Sequence, residues 1–263
     1  MTAPNSTTTR SPNVAWANGA VAVTVAGIDQ PHGSQVKEIH LIKDGGAEQV
    51  VPGATEIATF TTEGLHTLTF WAIDNAGNVE ARYALGGINI DLTAPVVTIR
   101  GVTNGAIYFL HGVRTPSFTA TDSLSGIATQ VATLTAPSTA SRAGVYTYVV
   151  TATDRAGNVT IATATYLVIY RFVGFLSPFA GTTFKRGRVI PVAFFLLDNG
   201  YAPVANARGS LYVDGTKVGD FIYLGLGIYY FNLDTSGLSV GRHTLTARLD
   251  DTTIHSVDIY IAR

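Results

Sequence analysis

The sequence predicts an all-β chain of three tandem β-sandwiches, and three observations predict it. First, a motif recurs at a spacing of eighty residues. Gly64-Leu-His-Thr-Leu-Thr-Phe-Trp-Ala-Ile-Asp74-Asn-Ala-Gly-Asn78 returns as Gly144-Val-Tyr-Thr-Tyr-Val-Val-Thr-Ala-Thr-Asp154-Arg-Ala-Gly-Asn158, and its opening returns once more as Gly241-Arg-His-Thr-Leu-Thr. A long fixed period signals repeated units of one architecture rather than one large core. Second, charged residues make up only 13% of the chain while Thr, Ala, Val and Gly fill it, and β-branched side chains pack well on a pleated surface. Third, short alternating segments are punctuated by turn signals roughly every 8–12 residues, with no convincing helix-period segment longer than a turn.

The elements follow in order. In the first unit, residues 14–93, the segment 20–26 alternates with Val21, Val23 and Val25 on one face. Segment 36–42 ends at Asp44-Gly45-Gly46, a hairpin signal because Gly takes positive φ at little cost. Segment 65–73 leads through Asp-Asn-Ala-Gly-Asn into 79–90. The second unit, 94–170, opens at Ala94-Pro95, where Pro interrupts the preceding ladder. Its strands are read at 96–100, 117–121, 127–134, 145–153 and 159–169, with a turn at Asp122-Ser-Leu-Ser-Gly126 whose Asp and Ser can bond nearby backbone amides. The third unit, 171–263, is entered through Tyr166-Leu-Val-Ile-Tyr-Arg-Phe-Val173, which predicts a stiff joint because it holds no Gly or Pro. Its strands are read at 189–197, 210–214, 217–223, 228–233, 243–249 and 254–261, with a hairpin at Asp214-Gly215. Residues 1–13 read as the polar tail of an upstream linker, without a signal peptide's apolar stretch, as expected of a fragment of a longer secreted chain.

Net charge is −1, and the four Lys and thirteen Arg are scattered, so nucleic acid is not an expected partner. No cysteine is present, which removes disulfides, thiolate metal sites and Cys nucleophiles together. No apolar run approaches the roughly 20 residues of a membrane-spanning helix.

The repeated Gly-x-[His/Tyr]-Thr has a structural reading. In immunoglobulin-type sandwiches an aromatic near the start of the sixth strand anchors the preceding corner through its polar tip. Tyr146 fits that role, His66 and His243 stand in its place, and Gly64, Gly144 and Gly241 supply the tight entry. Trp16-Ala-Asn-Gly19, Asp44-Gly-Gly46, Ala72-Ile-Asp74-Asn-Ala-Gly-Asn78 and Ile90-Asp-Leu-Thr-Ala-Pro95 together resemble the immunoglobulin-like modules repeated in bacterial secreted and surface proteins. Gly174-Phe-Leu-Ser-Pro178, Arg188-Val-Ile-Pro191-Val192 and Phe231-Asn-Leu-Asp-Thr-Ser-Gly237-Leu238, ending in Leu249-Asp-Asp-Thr252, resemble the C-terminal β-sandwich modules that such proteins carry. The resemblance implies an extracellular setting and leaves function open, since such modules accompany glycosidases, peptidases and adhesins alike. It also implies a Lys after Ile-Pro-Val, where this chain has Ala193.

Four kinds of chemistry are conceivable for these residues. Catalysis by Ser, His and acid is not expected, because none of the six histidines lies beside a nucleophile elbow. The Glu residues of the first unit are spread over separate strands and turns, unlike a glycosidase pair facing a cleft. Calcium takes six to eight oxygen ligands, and Asp74, Asn75, Asn78, Asp91, Asp154 and Asn158 are its candidate ligands. Without a D-x-D-x-D-G loop, Asx-type turn bonds are preferred for these residues, and no cofactor is expected beyond such a calcium ion. Tyr223 and Tyr230 are candidates for stacking on sugar, with packing preferred.

The sequence thus leads to three tandem immunoglobulin-like β-sandwiches in an elongated array, acting as a non-catalytic spacer or adhesion segment at an extracellular or cell-surface location. Its expected partners are other domains of the same longer chain, with polysaccharide or cell-surface components as further candidates. The alternatives are a carbohydrate-binding accessory region of a secreted glycoside-active enzyme, or a self-assembling surface-layer or filament subunit.

Overall fold

A computed structural model describes residues 2–139 and 141–263, which form 22 strands in six sheets. Among the described residues no helix is long and apolar enough to cross a membrane. The chain divides into two compact units. One comprises residues 1–97, 120–131 and 151–161, and the other comprises 98–119, 132–150 and 162–263. The six sheets come in successive pairs along the chain, which makes the architecture a tandem series of β-sandwiches.

The first sandwich lies within the first unit. Its strands are β1 (Asn5–Ser11), β2 (Val21–Ile28), β3 (Val36–Lys43), β4 (Glu48–Pro52), β5 (Thr55–Phe60), β6 (Gly64–Asp74) and β7 (Tyr83–Ile90). Sheet β1-β2-β5 packs on sheet β4-β3-β6-β7. Val21, Val23 and Val25 alternate into the core as their spacing predicts, and meet Ile39, Leu41, Leu68 and Ile88 of the facing sheet. Burying each such side chain contributes roughly 1.5–3 kcal/mol.

Two expectations need correction here. Residues 5–11 are not a tail: β1 pairs antiparallel with β2 from Asn5↔Ile28 to Ser11↔Ala22. Its Thr residues suit a pleated edge despite their polarity, and the buried Glu80 carboxylate secures it by accepting from Ser6 Oγ (2.6 Å) while also accepting from the Ala72 N–H (2.9 Å). The segment read as one strand over 79–90 begins pairing in earnest only at Tyr83, with Val79 confined to an isolated bridge to Ile73.

The next strands are β8 (Val96–Arg100), β9 (Ile107–Phe109), β10 (Ser117–Thr121), β11 (Ile127–Thr135), β12 (Gly144–Asp154) and β13 (Val159–Ile169). They form sheets β10-β8 and β11-β12-β13-β9.

The last sandwich lies within the second unit. It comprises β14 (Arg171–Ser177), β15 (Thr182–Lys185), β16 (Val189–Leu197), β17 (Gly209–Val213), β18 (Thr216–Asp220), β19 (Ile222–Gly225), β20 (Ile228–Asp234), β21 (Gly241–Leu249) and β22 (Ile254–Ala262). Sheet β14-β16-β20-β19 packs on sheet β15-β22-β21-β17-β18 through Ile190, Val192, Leu233, Leu211, Leu245 and Ile259. The segment read as one strand over 217–223 is broken at Phe221, and β18 and β19 belong to different sheets. Phe221 is the cause: its ring turns inward against Phe194 (4.7 Å between centroids) and its N–H is taken by Gly209 O. A second core in this unit joins Val102, Leu110, Tyr166 and Val168 to Phe194, Leu196 and Tyr229.

Candidate functional site

The repeated corner is the first feature to build. Gly64, Gly144 and Gly241 open β6, β12 and β21 at φ of +140°, +129° and +133°, a region only Gly enters without strain. Two residues on, a polar ring tip reaches back four residues to a backbone carbonyl. Tyr146 Oη donates to Arg142 O at 2.8 Å, His66 Nε2 meets Thr62 O at 2.8 Å, and His243 Nε2 meets Ser239 O at 2.8 Å. The histidine corners carry a second contact. His66 Nδ1 lies 2.9 Å from Asp44 Oδ2, and His243 Nδ1 lies 2.6 Å from Asp214 Oδ2. Both Asp residues sit in the Asp-Gly hairpin turns, with φ of +51° and +49°. Their other oxygens accept the N–H of Thr67 and Thr244, each at 2.8 Å.

Asp, His and hydroxyl in one line suggests a catalytic triad, since Thr62 Oγ1 is 3.4 Å from His66 Nε2 and Ser239 Oγ is 3.5 Å from His243 Nε2. The geometry decides otherwise. Each Nε2 is spent on a backbone carbonyl at a much shorter distance, so it has no lone pair to take the hydroxyl proton. The rings are 7% and 5% exposed, which leaves no room for a substrate beside them.

The two Asp-x-Ala-Gly-Asn turns make the bonds expected of turns. Asp74 Oδ1 accepts from the N–H of Ala76 (2.9 Å) and Asn78 (2.8 Å), and Oδ2 accepts from the Asn78 amide (2.6 Å). Asp154 repeats the pattern with Gly157 N–H (2.7 Å), Asn158 N–H (2.8 Å) and the Asn158 amide (2.8 Å). Asn75 donates to Ser34 O and Gln35 O. Burial works to raise the Asp74 carboxyl, but the bonds from Asn78, Ser34 and Ala76 outweigh it and hold it below its ordinary value.

The second turn does more than the first. Asp91, Asp122 and Asp154 bring carboxylate oxygens within 4.8 Å of one another. Asp91 and Asp154 are 0% and 2% exposed, and none of the three forms an ion pair among the described residues. Asp91 Oδ2 accepts from Ser125 N–H (2.9 Å), and its Oδ1 from Thr93 N–H (3.1 Å). Burial works to raise its carboxyl, and the bonds from Ser125 and Thr93 outweigh that and lower it. Asn158 donates to Asp91 O (2.8 Å), so its amide nitrogen rather than its oxygen faces this cluster. Asp122 Oδ1 accepts from Gly126 N–H (2.6 Å). Three carboxylates are hard oxygen donors of the kind calcium takes, and Asp91, Asp122 and Asp154 are the residues that could hold it.

Of the sequence candidates, Asp91 and Asp154 therefore meet with Asn158 beside them, while Asp74, Asn75 and Asn78 belong to a separate turn. Asp122 was read only as a turn residue, and it is that too. The signal for its second role is its place in a loop between strands at the same end of the sandwich as Asp154.

Tyr223 and Tyr230 do not share a platform. In the β19–β20 ladder Tyr223 stands opposite Tyr229 and Tyr230 opposite Ile222, which puts the two rings on opposite faces. Tyr229 belongs to the core: its hydroxyl donates to Val204 O (2.9 Å), and burial pushes its pKa up to about 12.

No protein-family model matches the chain, and no curated protein matches it by sequence. Among solved structures, part of the chain is similar to an endo-β-1,4-mannanase from Thermotoga petrophila, at 21% identity over 36% of this chain and 20% of that one, with a TM-score of 0.30. The chain thus spans about one-fifth of the mannanase's length. It is also similar to domains I67–I69 of titin, in an E-to-A variant (13% identity, 100% and 99% of the two chains, TM-score 0.40). A third similarity is to a 1.5-MDa bacterial ice-binding adhesin (13%, 98% and 96%, 0.34). At such low identities and TM-scores, none of these likenesses assigns the chain to a family.

Proposed function

We propose that the chain is a non-catalytic spacer, a tandem series of immunoglobulin-like sandwiches with boundaries near 93/94 and 170/171. It would hold other domains of a longer secreted or cell-surface protein in place, and those domains are its partners. One observation carries this reading: a buried carboxylate ties each junction to backbone N–H groups. Asp91, just after β7, accepts from Ser125 N–H, and Asp251, just after β21, accepts from Tyr170 N–H (2.7 Å) between β13 and β14. The Tyr170 hydroxyl adds a bond to Asp250 Oδ1 (2.7 Å). Charge-assisted bonds of this kind are stronger than neutral ones, and they suit a segment that transmits position rather than one that hinges. Limited proteolysis tests it. Residues 91–95 and 169–172 should resist cleavage until the sandwiches unfold, and early cuts at either site would contradict the proposal.

A second reading adds calcium at the first junction, favoured by three converging carboxylates without an ion-pair partner among the described residues. Calcium would then raise the melting temperature relative to EDTA-treated protein, and Asp122→Asn would remove most of that rise while keeping the amide oxygen as an acceptor for Gly126 N–H. Equal melting temperatures in calcium and EDTA would leave the three Asp residues with turn and junction roles alone.

A further inference from the structure

We propose that His66 and His243 are held as imidazolium cations that donate from both ring nitrogens at once. This makes the first and last corners proton-dependent clamps, whereas the Tyr146 corner works without a titrating proton. The proposal is independent of the spacer reading and rests on what each ring meets.

Nδ1 faces a carboxylate oxygen and Nε2 faces a backbone carbonyl oxygen, at 2.9 and 2.8 Å for His66 and at 2.6 and 2.8 Å for His243. Both partners are acceptors only. A neutral imidazole has one N–H, so it could satisfy one contact while aiming a lone pair at the other oxygen. Only the doubly protonated ring satisfies both. The same arrangement recurs in two sandwiches, on residues far apart in the chain, each time with an Asp-Gly hairpin supplying the carboxylate.

The surrounding charges agree. Around His66 stand Asp44 from the β3–β4 turn and Lys43, whose Nζ lies over the Phe60 ring (5.5 Å). Around His243 stand Asp214 and, one strand further on β22, Asp258, which is itself paired with Arg242 (2.6 Å). Burial works to lower both histidines, but the bonds to Asp and carbonyl, with the Asp charge, outweigh it and raise them above the ordinary 6.5. Burial likewise works to raise Asp44 and Asp214, and the Thr and His bonds outweigh it and lower them below 3.8.

The sign of the pH effect follows. A histidine raised in the folded state contributes fully below its unfolded value of 6.5, and its contribution is lost as pH rises through the folded value. A lowered aspartate contributes fully above 3.8 and loses that contribution as pH falls through its folded value. The clamps are therefore complete between those limits and open on the alkaline side through histidine. His255, lowered by burial, has the opposite sign and favours higher pH, and it does so equally in wild type and in variants that retain it.

The test uses the full chain. Nitrogen-15 imidazole spectra at pH 7 should show His66 and His243 still doubly protonated, their signals assigned by loss in His66→Tyr and His243→Tyr. The double variant, which copies the Tyr146 corner, should show a melting temperature that falls less than the wild type's between pH 6 and 9. A single-proton tautomer at both histidines at pH 7 would overturn the proposal. So would equal pH dependence in wild type and double variant. The spectra of unsubstituted protein decide the matter even where a Tyr variant does not fold.

Discussion

Glycine and a polar-tipped ring, histidine in two corners and tyrosine in one, set the corner of these sandwiches between them. Gly241 sits at φ +133° with nothing within 4 Å of where a Cβ would stand. Gly241→Ala should therefore destabilise the last sandwich by about 1–3 kcal/mol through backbone strain alone, a shift that denaturant titration would read as a lower midpoint with an unchanged slope. Gly144 differs, since a Cβ there would also meet Pro137 Cβ at 3.0 Å, so its substitution should cost more. The ring-to-carbonyl bond at this corner was legible in the sequence, because Gly-x-[His/Tyr]-Thr places the same ring in three copies. The Asp partner was not. Asp44 and Asp214 precede their histidines by 22 and 29 residues, and Asp-Gly already has a sufficient explanation as a hairpin turn.

At the scale of elements, polarity misled where packing did not. The core strands were legible from alternation, and Val21, Val23 and Val25 are buried as their spacing requires. β1 was not, because Asn5 to Ser11 offers no apolar face, and its partners are the β2 ladder and the distant Glu80. The break at Phe221 follows Gly219-Asp220, which passes within Lys217-Val-Gly-Asp-Phe-Ile-Tyr223 as part of one strand because no Pro or longer turn cluster marks where the chain changes sheets. The closing Leu249-Asp-Asp-Thr252 replaces Ala-Gly-Asn with two acids that reach Tyr170. Asp251→Ala leaves the Tyr170 N–H and Thr253 N–H without their acceptor in a buried place. It should lower stability by roughly 1–3 kcal/mol, measurable as a drop in melting temperature with the far-ultraviolet spectrum intact.

For the molecule as a whole, the same chemistry serves the corners and the proposed junctions: an aspartate at a turn, exposed at the corners and buried at the junctions, accepts backbone or side-chain N–H groups from another segment. The eighty-residue repeat made the tandem sandwiches legible, whereas the acids gathered at the first junction come from three segments whose meeting no local spacing reveals. Amide hydrogen exchange on the intact chain tests the central claim most directly, at Ser125 and Tyr170, the two N–H groups held by junction aspartates. Protection at both amides comparable to that of the core strands is the predicted result, and exchange at either one at the rate of an open loop would contradict it.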